Sequence, residues 1–75
     1  MEFEKLQSII AEILSVEPDY IKKDMTFAGD LGADSLELFQ IVMGVEGEFD
    51  IIIQDGDAEN IKTVGDLFQV ISDVR

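Results

Sequence analysis

The sequence contains neither cysteine nor histidine. Without cysteine the chain can form no disulfide framework and no thiolate zinc site. Without histidine it lacks the commonest general base and the commonest metal ligand. These two absences disfavour catalysis by this chain alone and a dedicated metal site.

Long apolar runs are also missing. No stretch approaches the ~18 apolar residues that a membrane span needs, and no basic segment precedes an apolar run at the N-terminus, so we expect no signal peptide. With 75 residues, of which 47% are apolar, the chain can fold as one compact domain over residues 1–75. We expect a cytoplasmic monomer.

Basic residues are scarce, with five against 17 acidic ones and a net charge of −12. Residues 24–61 hold ten acids and no lysine or arginine. This balance argues against nucleic acid and anionic membranes as partners and predicts a partner with a basic patch; a merely solubilising surface is the alternative. The acids at residues 55–60 lack the spacing of a calcium loop, so we expect only weak, nonspecific binding of divalent cations.

Helical periodicity dominates the rest of the pattern. We predict a first helix over residues 2–16, ended by Pro18, then a long connection over residues 18–32. A second helix should begin at Asp34 or Ser35 and end at residue 49 or 50, because Asp34 and Glu37 have the spacing of a capping box.

The remaining segments predict one short and one longer helix. The apolar run at residues 50–55 has no partner strand, so we interpret it as a buried connection. A short third helix is expected at residues 55–60, and a last one with Thr63 as its N-cap and Asp66 completing a second capping box, running to about residue 73. The predicted fold is all-α, a small bundle of three main helices and one short helix with a long first loop.

Ser35 is the residue most open to a functional interpretation. It follows a glycine turn and opens the second helix, so it could be the N-cap or a first-turn residue of that helix, act as a nucleophile, or carry an attached group. No histidine is present to activate a nucleophile, and neighbouring Asp34 would disfavour an alkoxide. A phosphate esterified to Ser35 would lie in the favourable field of a helix N-terminus, so capping and attachment both stay open.

The segment DLGADSLELFQIVMGVEGEFD at residues 30–50 resembles the signature of acyl carrier proteins, in which a D-S-L triplet opens the second helix. The resemblance extends to length, acidity, helix order, the long first loop and the TVGDL that opens the last helix. It implies that Ser35 carries 4′-phosphopantetheine derived from coenzyme A, and that Asp34 and Leu36 flank it for recognition. The absence of cysteine agrees with this, because the carrier's thiol would come from the cofactor.

The resemblance also implies a function and its partners. The chain would be a carrier rather than an enzyme, holding acyl intermediates as thioesters for enzymes of fatty-acid or related biosynthesis. A phosphopantetheinyl transferase (holo-carrier synthase) would load it, and acyl-processing enzymes would dock through basic patches. The expected docking residues lie along the second helix: Glu37, Gln40, Met43, Glu46 and Glu48.

Space for the acyl chain is expected between the second helix and the apolar faces of the others. The candidate lining residues are Phe39, Val45, Ile61, Leu67 and Phe68. The sequence departs from the family's usual residues at Phe39, Gln40, Gly44, Gly47 and Gln54. These departures leave open a specialised carrier for polyketide, aminoacyl or lipid-modifying pathways. A more distant alternative is an acidic cation-binding or interaction module without a prosthetic group.

Overall fold

The computed structural model describes residues 2–74, and they form a bundle of four α-helices. The helices are α1 (Glu2–Leu14), α2 (Ser35–Phe49), the short α3 (Asp55–Glu59) and α4 (Val64–Val74). The predicted all-α architecture of three main helices and one short helix is confirmed. In the described part of the chain no helix is long and apolar enough to cross a membrane.

The core is built from one face of each long helix. Leu6 and Ile10 of α1, Ile41 and Val45 of α2, and Leu67 of α4 are all fully buried. These positions recur at helical spacing, so each helix buries an apolar stripe against the others. Burial of that shared apolar surface is the main force that holds the helices together.

The long loop between α1 and α2 is anchored to the core and to the start of α4. Ile21 and Phe27 are buried. The Phe27 N–H donates to the Lys62 carbonyl at 3.0 Å, and the Val64 N–H donates to the Met25 carbonyl at 2.9 Å. The loop is therefore held by its own side chains and by backbone hydrogen bonds, and it delivers the chain to α2 in a defined position.

Two boundaries differ from the sequence prediction. The first helix ends at Leu14 rather than residue 16, because Ser15 adopts a left-handed conformation with φ 59° and the Val16 N–H returns to the Ala11 carbonyl at 3.1 Å. This is a Schellman ending, usually made by glycine, so a serine there gave no signal. A 3₁₀ turn at Pro18–Tyr20, which the sequence did not predict, follows it.

The apolar segment after α2 is irregular, as predicted, but it is only partly buried. Ile53 is buried and Ile51 is half-buried, whereas the side chain of Ile52 is 73% exposed. The prediction of a wholly buried connection is therefore wrong for Ile52. An irregular segment has no fixed side-chain period, so the residue that turns outward could not be identified from the pattern.

Candidate functional site

Ser35 begins α2 at the end of a tightly turned loop. The Thr26 hydroxyl accepts hydrogen bonds from the N–H groups of Gly29 and Asp30, at 3.2 and 3.0 Å. Gly32 then takes φ 64°, which glycine adopts without strain, and the Ala33 N–H donates to the Phe27 carbonyl at 2.7 Å. These turns fix the point at which the helix starts.

Asp34, and not Ser35, caps α2. The Glu37 N–H donates to the Asp34 carboxylate at 2.8 Å, and the Asp34 N–H donates to the Glu37 carboxylate at 3.2 Å. The predicted capping box is confirmed. Of the two structural roles considered for Ser35, the N-cap is wrong and the first-turn position is confirmed. Ser35 is the first helical residue and is exposed, so its hydroxyl is accessible to a modifying enzyme.

The surroundings of Ser35 suit a covalently attached phosphate. The first turn of a helix presents N–H groups without intrahelical partners and the positive end of the helix dipole. The Asp34 carboxylate accepts the N–H of Glu37, the third residue of α2. It does not occupy the N–H groups of the first two residues, Ser35 and Leu36. A phosphoester oxygen on Ser35 would therefore lie close to the N–H groups of the first turn.

Two open clefts meet at Ser35. The α2–α3 cleft has a volume of about 450 Å³ and combines an apolar floor with an acidic rim. Apart from Ser35, it is lined by the apolar residues Leu38, Phe39, Val42, Ile53 and Ala58 and by the acids Glu46, Asp55 and Glu59. Its size lies in the range of sites that hold small organic ligands.

The second cleft, which we call the loop cleft, lies between the long loop, the start of α2 and the residues before α4. Its volume is about 420 Å³. Its lining residues are Thr26, Phe27, Ala28, Gly29, Ala33, Asp34, Ser35, Leu38, Ile61 and Lys62. Ser35 and Leu38 belong to both clefts, so a group attached to Ser35 could extend in either direction.

Glu46 shapes the α2–α3 cleft. Its carboxylate accepts a hydrogen bond from the Ile53 N–H at 2.8 Å, and its carbonyl accepts one from the Ile51 N–H at 3.2 Å. Between these contacts Asp50 takes the left-handed φ of 56°. Glu46 therefore holds the connection that carries Ile53 into the wall of the cleft.

The residues expected to dock partners occupy different environments. Leu36 and Met43 are exposed, at 64% and 54%, and Gln40 and Glu48 are exposed as well. Glu37 is half-buried in the capping box and Glu46 is half-buried in its contact with Ile53. The Glu37 contact is the predicted capping box, whereas the Glu46 contact with Ile53 was not predicted from the sequence.

The five residues expected to line an acyl pocket are not brought together. Phe39 lines the α2–α3 cleft with 61% of its surface exposed, and Ile61 lines the loop cleft. Val45 and Leu67 are fully buried in the core. Phe68 packs edge-to-face on Phe3, with ring centroids 5.3 Å apart. Neither cleft is lined by Val45, Leu67 or Phe68.

Sequence reasoning missed several residues that do line the clefts. Leu38 and Val42 follow Ser35 by three and seven positions, and helical spacing alone could have placed them on its face. Ile53 and Lys62 come from irregular segments, where no periodic signal exists. Within residues 2–74 no cluster of three or more acidic, histidine or cysteine side chains is arranged to hold a metal ion.

Comparison with known proteins identifies relatives over almost the whole chain. The family model described as "Phosphopantetheine attachment site" matches residues 4–71. An acyl carrier protein of Clostridium perfringens is 48% identical over 71 residues, which cover 95% of this chain and 93% of that protein. An acyl carrier protein of Sulfurovum sp. is 46% identical over 72 residues, or 96% of each chain.

Solved structures agree with the sequence relatives. A protein of Mycobacterium tuberculosis assigned as an acyl carrier protein superposes with a TM-score of 0.92 at 40% identity, covering 96% of each chain. The acyl carrier protein of Enterococcus faecalis superposes with a TM-score of 0.80 at 33% identity, covering 97% of this chain and 92% of that one. The structural neighbours and the sequence relatives are therefore different proteins with the same description.

Proposed function

The chain belongs to the acyl carrier protein family, and we propose that Ser35 is the residue that carries its 4′-phosphopantetheine. As a member of this family it is a carrier and not a catalyst. The observation that supports Ser35 is its exposed position at the first turn of α2, where Asp34 has taken over the capping role. Capping therefore leaves the Ser35 hydroxyl available.

Loading would form a bond between Ser35 Oγ and the phosphorus that carries the pantetheine group in coenzyme A. The pyrophosphate P–O bond of coenzyme A would break at the same phosphorus, and adenosine 3′,5′-bisphosphate would leave. The hydroxyl proton would pass to a base of the transferase, because this chain has no histidine to accept it. Once attached, the group supplies the thiol that holds an acyl chain as a thioester. Asp34 and Leu36, which flank Ser35, are the proposed recognition residues for the transferase.

The α2–α3 cleft is the proposed shelter for the acyl chain. Its apolar floor begins at Leu38, one turn from Ser35, and continues through Val42 and Ile53. Phe39 occupies part of the entrance. The buried candidates Val45 and Leu67 would contact cargo only if the helices moved apart. Phe39→Val should therefore slow hydrolysis of long-chain thioesters, which can be followed against short-chain ones.

Partner docking is proposed for the exposed side of α2. Leu36 and Met43 are large apolar side chains that face solvent, and exposed apolar side chains among acids suit a basic partner surface with an apolar centre. Glu48 and Gln40 would lie at the rim, where charge acts mainly on the association rate. Gln40→Glu should then speed association with a basic partner, as measured by stopped flow.

The serine assignment is tested by loading. The purified chain is incubated with coenzyme A and a phosphopantetheinyl transferase, and intact mass is recorded for the wild type, Ser35→Ala and Ser72→Ala. One added phosphopantetheine in the wild type and in Ser72→Ala, with none in Ser35→Ala, supports the proposal. Loading of Ser35→Ala would refute it. We further propose a cytoplasmic monomer; a dimer in light scattering would refute the second part.

A further inference from the structure

The two clefts around Ser35 carry an uneven set of charges. Among the described residues that line them, the acids are Asp34, Glu46, Asp55 and Glu59, and the single base is Lys62. Lys62 is also the first base after the acidic span at residues 24–61. The first turn of α2 favours a phosphodiester on Ser35 locally, but the group would add a negative charge to a surface on which acids outnumber bases.

The backbone of Lys62 is fixed on both sides. Its N–H donates to the Asp66 carboxylate at 3.1 Å, and its carbonyl accepts from the Phe27 N–H at 3.0 Å. The bond to Phe27 ties the residue to the wall of the loop cleft, which it shares with Ser35, and the bond to Asp66 ties it to the start of α4. The position from which the Lys62 side chain extends is therefore defined, although the side chain itself is exposed.

Asp66 is the acid that accepts a hydrogen bond from the backbone of Lys62. Its carboxylate already accepts the N–H groups of Lys62 and Thr63, both at 3.1 Å. These backbone hydrogen bonds are the main reason that the pKa of Asp66 is lowered, and the charge of Lys62 is the smallest cause. The contacts that occupy the Asp66 carboxylate are thus mainly backbone N–H groups.

We propose that Lys62 is a positioning residue that pairs with the phosphodiester on Ser35 and, before an acyl group is attached, directs the first part of the arm along the loop cleft. This inference rests on the proposed modification of Ser35. The loop cleft offers one base against one acid, whereas the α2–α3 cleft offers three acids and no base among its lining residues. A lysine suits the role because its ammonium is a point charge on a flexible stem.

The test compares unloaded and loaded forms of the same variants. Wild type, Lys62→Gln, Lys62→Arg and the control Lys22→Gln are each loaded with phosphopantetheine, and loading is verified by mass. Lys22 is an exposed lysine of the long loop that lines neither cleft. Lys22→Gln therefore removes the same charge as Lys62→Gln but away from the clefts. Failure of the wild type to load would refute the proposed function; every later outcome concerns Lys62 alone.

Melting temperatures of both forms are measured at two ionic strengths. At 0.01 M the Debye length is about 30 Å, so charges interact across the cleft, and near 1 M it is about 3 Å, so they are screened. At low salt, the change in melting temperature on loading should be less favourable in Lys62→Gln than in the wild type, by roughly 1–4 °C. Arginine should restore it and high salt should abolish the difference. An equal change in wild type and Lys62→Gln, or an equal loss in Lys22→Gln, would overturn the proposal.

Amide chemical shifts locate the arm independently of stability. Loading the wild type should shift the amide signals of Gly29 and Lys62 in the loop cleft, and these shifts should shrink in Lys62→Gln. Ala58 and Glu59 report on the α2–α3 cleft in the same spectra. Shifts confined to Ala58 and Glu59, or shifts at Gly29 that persist unchanged in Lys62→Gln, would contradict the proposed path.

Discussion

Glu46 is expected to matter for stability before it matters for docking. Replacement by alanine removes the carboxylate that accepts the Ile53 N–H at 2.8 Å, and that N–H then has no replacement acceptor from the variant side chain. The connection between α2 and α3 should loosen, and with it the wall of the α2–α3 cleft that Ile53 forms.

The size of the effect follows from the type of hydrogen bond. A bond to a charged group contributes about 1.5–3 kcal/mol, but Glu46 is only half-buried, so solvent replaces part of the loss. We expect Glu46→Ala to lower the free energy of unfolding by about 1–2 kcal/mol. In a domain of this length each kcal/mol corresponds to roughly 4–8 °C in melting temperature.

Glu48→Ala is the matched control, because it removes the same charge from the same helix at an exposed position. It should change stability by less than about 0.5 kcal/mol. Urea denaturation of both variants, with the slope of the transition compared, measures the difference. If Glu46→Ala lost no more stability than Glu48→Ala, the Glu46–Ile53 contact would not hold the connection.

Four further substitutions test other parts of the fold. Gly47→Ala should stabilise α2 by up to about 1 kcal/mol, since its new methyl would meet nothing within 4 Å. Gly44→Ala should gain less stability or lose some, since its methyl would lie 3.1 Å from Ile9 Cγ2. Equal melting temperatures of the two variants would contradict this contrast. Asp50→Gly should stabilise by about 1 kcal/mol, because Asp50 has φ 56° and its charge opposes the helix dipole; a lower melting temperature would refute it. The pKa of Asp66 lies below its ordinary value of 3.8. The ionised carboxylate therefore stabilises the fold above that pH, and this stabilisation is lost as the pH falls through the folded-state pKa. In melts at acid pH, Asp66→Asn should lose less stability than the wild type as the pH falls, and an unchanged pH profile would contradict this.

Helix positions and caps were predictable because they depend on local spacing. The Asp34–Glu37 and Thr63–Asp66 pairs each stand three residues apart, and both form the expected bonds. The apolar residues of each long helix likewise recur at helical spacing, which is visible in the sequence. Local geometry of this kind is contained in neighbouring residues and needs no knowledge of the tertiary structure.

Features that depend on tertiary packing could not be predicted. Gly44 lies where α2 approaches Ile9 of α1, and no sequence signal separates it from the unobstructed Gly47. The acyl candidates were chosen for apolar character, which identifies buried residues such as Val45 and Leu67 as readily as cleft walls. Both cases turn on which surfaces remain open after the helices pack.

The most direct measurement is the location of the attached group. After loading from coenzyme A, the chain is digested and its peptides are sequenced by tandem mass spectrometry under conditions that preserve phosphodiesters. Phosphopantetheine should be found on Ser35 alone, with Ser8, Ser15 and Ser72 unmodified. Attachment at any of these other serines, or a wild-type chain that remains unloaded, would contradict the assignment of Ser35.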